Sequence, residues 1–215
     1  MLRDDAVSIL KQRMGNNNDI SLDALIVTEM QFVQETILEQ GAELPWFLYG
    51  TSTVTETVAN PTAPAGFLTE SEAVPLQIYN GTRYVKFPKG DPVDLEGYDF
   101  NGLKAYPVAY SSADLGGADE FMIRVWGWDG TTDYSVKWNG YYAADELSTN
   151  IENKWLKFAA DLMIAETGAI IAAQYNAFVQ FAELFAQQRA TAQRRIQAKN
   201  AMWEEQNIER IVGGG

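Results

Sequence analysis

The 215-residue chain contains no cysteine and no histidine. Without cysteine there is no disulfide framework, and nothing points to secretion. Zinc sites built from Cys and His are excluded, and so are Ser-His-Asp and Cys-His triads. Catalysis would fall to carboxylates, Lys, Tyr or Ser alone. Positive charge is scarce: 16 Lys and Arg stand against 29 Asp and Glu, a formal net charge of −13. That balance argues against gripping a phosphate backbone, which relies on Lys and Arg displacing counterions, and against docking on an anionic membrane. Long apolar runs are lacking too. The longest uncharged helical stretch, Thr167 to Ala182, contains Gln174, Asn176 and Gln180 and is too short to span a bilayer. Asp4 and Asp5 fall where a signal peptide needs an apolar run. The expectation is a soluble protein made in a reducing compartment, with no metal and no cofactor.

What is present reads helical, then β, then helical. Val7, Leu10 and Met14 have helical spacing over residues 4–14, with Gly15 as a stop and Asn16, Asn17 and Asn18 as a turn. A second helix, capped by Asp19 or Ser21, carries Leu22, Leu25, Ile26, Met30, Val33 and Ile37 on one stripe and ends at Gly41. Pro45, Trp46, Phe47 and Leu48 form an apolar plug. From Thr51 to Val58, Thr and Val alternate as in a strand. Asn80-Gly81 marks a hairpin between Leu76 and Phe87, because both residues tolerate positive φ. Residues 90–102 read as an acidic, turn-rich connection. Phe121 to Trp138 reads as a second hairpin turning at Asp129-Gly130, with Phe121, Ile123, Val125, Tyr134, Val136 and Trp138 on one apolar face.

Thr149 and Glu152 fit a capping box, followed by a helix with Ile151, Trp155, Phe158, Leu162 and Ala165 on one stripe. A further stripe runs Ile171, Tyr175, Phe178, Ala182 and Phe185, and Gly168 either breaks the helix or allows close packing. Residues 186–203 are Ala-, Gln- and Arg-rich, hold Arg189, Arg194, Arg195 and Lys199 without an acid, and show almost no apolar face. Ile196, Met202, Trp203, Ile208 and Ile211 are their sparse apolar positions with the residues that follow. An unbroken helix from Ile170 to Arg210 would span about 60 Å and project as an arm. The last three glycines are expected to be disordered. The expected fold class is α+β. A helical bundle formed by the N- and C-terminal segments (1–50 and 148–185) carries an inserted antiparallel β domain (51–147) and a long projecting C-terminal helix (186–215).

Several groups invite chemistry. Asp91, Asp94, Glu96 and Asp99, and then Asp114, Asp119 and Glu120, could pair for glycoside hydrolysis or bind calcium. Solvated turn acids are the plainer reading. Trp126 and Trp128, opposite the apolar sheet face, could stack on a sugar ring as a carbohydrate-binding module or anchor a protein; burial under helices is the alternative. The basic run from Arg189 to Lys199 lacks interleaved aromatics, so a partner surface suits it better than nucleic acid. Gly116-Gly117, Gly127 and Gly130 match no nucleotide fingerprint.

The order of these features resembles the head-to-tail adaptor (connector) proteins of tailed bacteriophages, especially short-tailed ones. The residues that carry the resemblance are Met1 to Met14 with Gly15-Asn16 and Asp19; Glu29-Met30-Gln31 through Leu38, closing on Leu44 to Leu48; Gly66-Phe67-Leu68; Ala105 to Tyr110; and Asn150, Asn153 to Leu156 and Asp161 to Ile164, with Gly168 following. The resemblance implies a structural virion protein of the head–tail junction, made in the host cytoplasm and without enzymatic activity. It implies a twelve-membered homo-oligomeric ring beneath the portal protein. The C-terminal arm would dock on the portal through Arg189, Arg194, Arg195, Lys199, Trp203 and Ile208. The β part, with the turns Asn80-Gly81 and Asp129-Gly130, would face a tail nozzle or tail tube protein and tail fibres. DNA would pass through the channel without tight binding, and no membrane is involved.

Overall fold

The computed structural model describes the backbone of residues 1–15, 19–40, 44–100, 103–113 and 121–212, and their side chains except at 99, 100, 113 and 207–212. In chain order the elements are α1 (Arg3–Arg13), α2 (Ser21–Phe32), a π-helical turn (Val33–Leu38), a 3₁₀ turn (Trp46–Leu48), β1 (Tyr49–Glu56), β2 (Phe67–Glu70), β3 (Gln77–Tyr79), β4 (Tyr84–Lys86), α3 (Pro92–Phe100), β5 (Ala109–Ala113), β6 (Met122–Trp126), β7 (Tyr134–Tyr142), α4 (Lys154–Phe158), α5 (Ala160–Gln174), a second 3₁₀ turn (Asn176–Phe181) and α6 (Ala182–Val212). The fold is α+β with antiparallel sheets and a long C-terminal helix. It divides into two compact units. One is made of Met1–Leu48 and Ala143–Gln206; the other contains Tyr49–Tyr142.

The helical unit buries Val7, Leu10 and Met14 of the first helix and Leu22, Ile26, Met30 and Val33 of the second. Asp19 accepts the Ser21 backbone N–H at 2.9 Å at the start of α2. The stripe changes phase at its end. Ile37 is exposed and Leu38 buried, because the chain winds as a π-helix there, with the Glu39 N–H donating to the Gln34 carbonyl at 3.0 Å. That wider turn rotates residue 38 into the place an α-helix would give residue 37. Asn16 to Asn18 and Gly41 lie outside the described residues.

Thr149 is not a cap. Helix α4 starts at Asn153, whose Oδ1 accepts the Trp155 N–H at 2.7 Å, and Glu152 binds the chain's N-terminal ammonium instead. Ile151 is therefore exposed. A break at Ala159, at φ −142° and ψ 33°, separates α4 from α5 and leaves Phe158 partly exposed. The projected single helix from Ile170 to Arg210 is also broken. Tyr175 turns out at φ −119° and ψ 111°, and the 3₁₀ turn reverses the chain. The 31 residues of α6 then span about 46 Å.

In the β unit, β7 is the spine of a five-stranded antiparallel sheet. It pairs with β1 along one edge and with β2 and β3 on the other, and β4 follows β3. Tyr79 faces Tyr84 across the Asn80-Gly81 turn, where Gly81 alone takes positive φ, at 87°. Asn80 acts through its side chain, which accepts the N–H groups of Thr82 and Arg83. The expected β6–β7 hairpin does not form. Strand β6 pairs with β5 in a separate two-stranded sheet, and its other edge is taken by the loop before β2, through Ile123 N–H to the Pro61 carbonyl and Val125 N–H to the Ala59 carbonyl. Five of the six apolar residues, Ile123, Val125, Tyr134, Val136 and Trp138, still share one core with Phe67, Leu76, Ile78, Phe87 and Tyr110, and the sixth, half-buried Phe121, packs against it. The acidic connection at 90–102 is a helix over Pro92–Phe100, with Asp91 accepting the Val93 N–H at 2.9 Å and proline in the first turn. Asn101 and Gly102 lie outside the described residues.

Candidate functional site

The C-terminal helix is seated on its own unit for most of its length. Its first turns run antiparallel to α5. Phe185 is fully buried against the bare backbone of Gly168, Arg189 lies 3.5 Å from the buried Glu166 carboxylate, and Arg195 lies 3.6 Å from Asp161. Arg13 joins from α1, donating to Gln188 at 2.7 Å, and Asn200 accepts the Trp46 N–H at 2.9 Å. So the basic segment does bury a face, centred on Ala192. The sequence conceals this because the packing residue is alanine and the other partners are ionic. Arg194 and Lys199 are exposed and make no ion pair among the described residues. Past Asn200 the described side chains are exposed except for half-buried Trp203. The side chains of Ile208 and Ile211 lie outside the described residues.

Besides one of about 360 Å³ lined by Arg13, Asp161, Gln188 and Ala192, two grooves flank α6. One, about 660 Å³, is lined by Leu156, Lys157, Phe158, Arg195, Ile196 and Lys199 among others. The other, about 270 Å³, runs between Ile37, Leu38 and Pro45 on one side and Gln193, Ile196 and Asn200 on the other. Sequence reading misses the first groove because the break at Ala159 turns Phe158 out of the stripe.

A buried polar network fixes the wall of the unit. Glu39 Oε1 accepts the Ala144 N–H at 3.0 Å and the Trp155 Nε1–H at 2.9 Å. Gln34 donates to the Ala144 and Asp145 carbonyls and accepts from Asn153 at 3.0 Å. Burial pushes the Glu39 carboxyl above its ordinary 4.5, against those hydrogen bonds. Burial raises Glu166 too, against the attraction of Arg189. A carboxyl that holds its proton more tightly folded than unfolded favours the fold as pH falls; that contribution is complete below the unfolded value and lost as pH rises through the folded one. Urea midpoints are therefore expected to rise from about pH 7 toward pH 5. Glu39→Gln keeps an acceptor for both donors and should flatten that rise. Midpoints that fall over this range, identically in the variant, would refute the assignment.

The β-unit turns are self-contained. Asp129 accepts the N–H groups of Thr131 and Thr132, each at 2.8 Å, and the Thr132 hydroxyl, together with these backbone bonds, holds its carboxyl down at about 2. Gly130 has φ 78°. The turn leads from one sheet to the other instead of closing a hairpin. The tryptophan platform is absent. Trp126 is buried beneath Leu95 and Ala109 and donates to Ser111 at 3.0 Å, while half-buried Trp128 packs on the main core and donates to the Thr132 carbonyl. Burial by a helix, α3, is what the second sheet face received. Asp91 is a cap, and Asp94 and Glu96 are exposed on α3; the Asp99 side chain, Asp114, Gly116, Gly117, Asp119 and Glu120 lie outside the described residues.

Among the described residues no group of three acidic, Cys or His side chains is placed to hold a metal ion, and no helix is long and apolar enough to cross a membrane. No family model and no curated protein matches this chain.

Proposed function

We propose that the chain is a structural virion protein, a head-to-tail adaptor whose copies form a ring between portal and tail, with the twelve copies that the resemblance implies. The observation that carries this reading is α6. Its first two-thirds are tied to its own unit through Phe185, Arg189, Arg195 and Asn200. Residues 201–212 add about 18 Å of helix beyond those ties. Arg189 and Arg195 serve to hold the helix. Portal docking then falls to Arg194, Met202, Trp203 and the residues that follow, Ile208 included. Met202 is 61% exposed, an apolar anchor of the kind interfaces use.

The rest of the reading follows from charge and from where carboxylates are spent. A net charge of −13 suits a conduit through which DNA slides, since repulsion prevents tight contacts. Glu39 and Glu166 are occupied by structural partners, which supports a role without catalysis. The turns at Asn80-Gly81 and Asp129-Gly130 are proposed to meet the tail nozzle or tube.

The test is a chain ending at Ala201, mixed with the portal ring of the same phage and weighed by mass photometry. The full chain is expected to add up to twelve copies per portal ring. The shortened chain is expected to stay folded, because the ties at Phe185, Arg189, Arg195 and Asn200 are retained, and to lose portal binding. Unchanged portal binding by the shortened chain would place the docking element elsewhere. No binding by the full chain would end the adaptor reading.

A further inference from the structure

The larger groove beside α6 has an unusual lining for so acidic a chain. Leu156, Phe158 and Ile196 give it an apolar floor, and Lys157, Arg195 and Lys199 line it against a single lining carboxylate, Asp161, which Arg13 and Arg195 already hold. Lys157 lies 3.6 Å from Glu152, a carboxylate it shares with the N-terminal ammonium, and Lys199 makes no ion pair among the described residues. The β unit carries a surface of the opposite kind. Of the described side chains of α3, only Leu95 is buried. Val93, 77% exposed, points away from Leu95, and at 100° per residue Asp94 and Glu96 flank it on either side. An apolar knob between two acids matches an apolar floor between cations.

We propose that this groove receives α3 of a second copy of the chain, with Val93 seated over Leu156, Phe158 and Ile196, and Asp94 and Glu96 paired with Lys157 and Lys199. The two surfaces are different patches, so the contact is head-to-tail, and such contacts close into rings when the rotation permits. The inference deepens the ring reading and rests on it for closure, while the pairwise contact is measured on the free chain. Charge selects the partner. A polyanion such as DNA would satisfy the cations but leave the apolar floor uncovered, whereas α3 brings both.

The absence of native cysteine makes the contact directly testable. Ala198 lines the groove and is exposed, so Val93→Cys and Ala198→Cys should both fold. At about 0.5 mM chain, where even millimolar association is populated, mild oxidation of the double variant is expected to give a ladder of disulfide-linked oligomers. Mixing the two single variants should give heterodimers in preference to either homodimer. Val93→Cys combined with Thr28→Cys, on α2 outside this groove, should cross-link about tenfold more slowly, and so should the Val93→Cys/Ala198→Cys chain carrying Lys157→Glu and Lys199→Glu. Adding Asp94→Lys and Glu96→Lys to the charge-reversed chain should restore the rate. Cross-linking no faster than the Thr28 control, or unaffected by charge reversal, overturns the contact. A chain that binds the portal ring without this cross-link refutes the contact and leaves the adaptor reading standing. A chain that cross-links but ignores the portal supports the contact and ends the adaptor reading.

Discussion

Phe185→Ala is expected to lower the unfolding free energy by about 3–5 kcal/mol, the range for emptying a fully buried aromatic site. Phe185 has no exposed surface, and its ring lies where a β-carbon on Gly168 would sit, 2.5–2.6 Å from the ring atoms. The cavity cannot close easily, because one wall is helix backbone. The loss falls at the point where α6 is clamped to α5, so α6 helicity and the Arg189–Glu166 contact should weaken together. Gly168→Ala approaches the same contact from the other side. It gains helix propensity of about 1 kcal/mol but forces the ring to move, at about 1–3 kcal/mol, for a net loss smaller than that of Phe185→Ala. In Gly168→Leu/Phe185→Ala the new side chain grows into the vacated space, and the double variant should be more stable than the sum of the single effects predicts. Urea denaturation followed by far-UV circular dichroism measures all five chains, the unmodified chain and the Gly168→Leu single variant included. Strict additivity, or a Phe185→Ala loss below about 1 kcal/mol, would show that the two helices do not interlock there.

That clamp also shows how far sequence reading reaches. Phe185 stands out by its period, and Gly168 is legible as a break or a close approach, but one sequence cannot say which. The helix stripes at Val7–Met14 and Leu22–Val33 are legible because burial and period coincide, and the α+β class follows from the change in pattern near residue 50. Errors gather where a local signal has a competitor. Thr149 and Glu152 match a capping box, yet Asn153 caps better once Glu152 has found the N-terminal ammonium. Asp91-Pro92 is a helix start that its acidic, glycine-flanked context disguises. Asp129-Gly130 marks a turn, but which strands it joins depends on who has already taken the edges of β6, and Pro61 and Ala59 lie some sixty residues away in sequence. The apolar face of β6 and β7 survives that error because side-chain alternation is set by the strand itself and not by its partner.

The site is less legible than the fold for the same reason. Arg189, Arg194, Arg195 and Lys199 are visible as a basic run, but the carboxylates that claim two of them, Glu166 and Asp161, lie on α5 and come near only because the chain reverses at Tyr175. Lys157 and Phe158 join the groove through a backbone break at Ala159, a residue with no sequence mark for it.

Gly140→Ala is expected to be the most damaging single-methyl change in the β unit, at about 3 kcal/mol or more, the upper end of overpacking costs. Gly140 faces Gly50 across β1 and β7, and these two bare positions form the floor beneath the Phe67 and Tyr142 rings, whose centroids lie 5.2 Å apart. A β-carbon at Gly140 would overlap the Thr69 carbonyl oxygen and come within 2.6 Å of the Phe67 ring. The oxygen is backbone and cannot swing aside, so β2 must leave β7. Phe67, now 8% exposed and packed on Phe121 and Trp138, would go with it, forfeiting the roughly 1.5–3 kcal/mol that burying such a side chain contributes. Gly50→Ala is the matched control. Its β-carbon meets only the Tyr142 ring, at 3.0 Å, a half-buried side chain that can yield, so the expected loss is below about 1 kcal/mol. Urea midpoints give the stabilities, and near-ultraviolet circular dichroism reads the packing of Trp138. Equal losses in the two variants would mean that β2 is not held against Gly140 as described. A large loss at Gly140 with an unchanged near-ultraviolet spectrum in the folded state would mean that Phe67 stays in place and the strain is absorbed elsewhere.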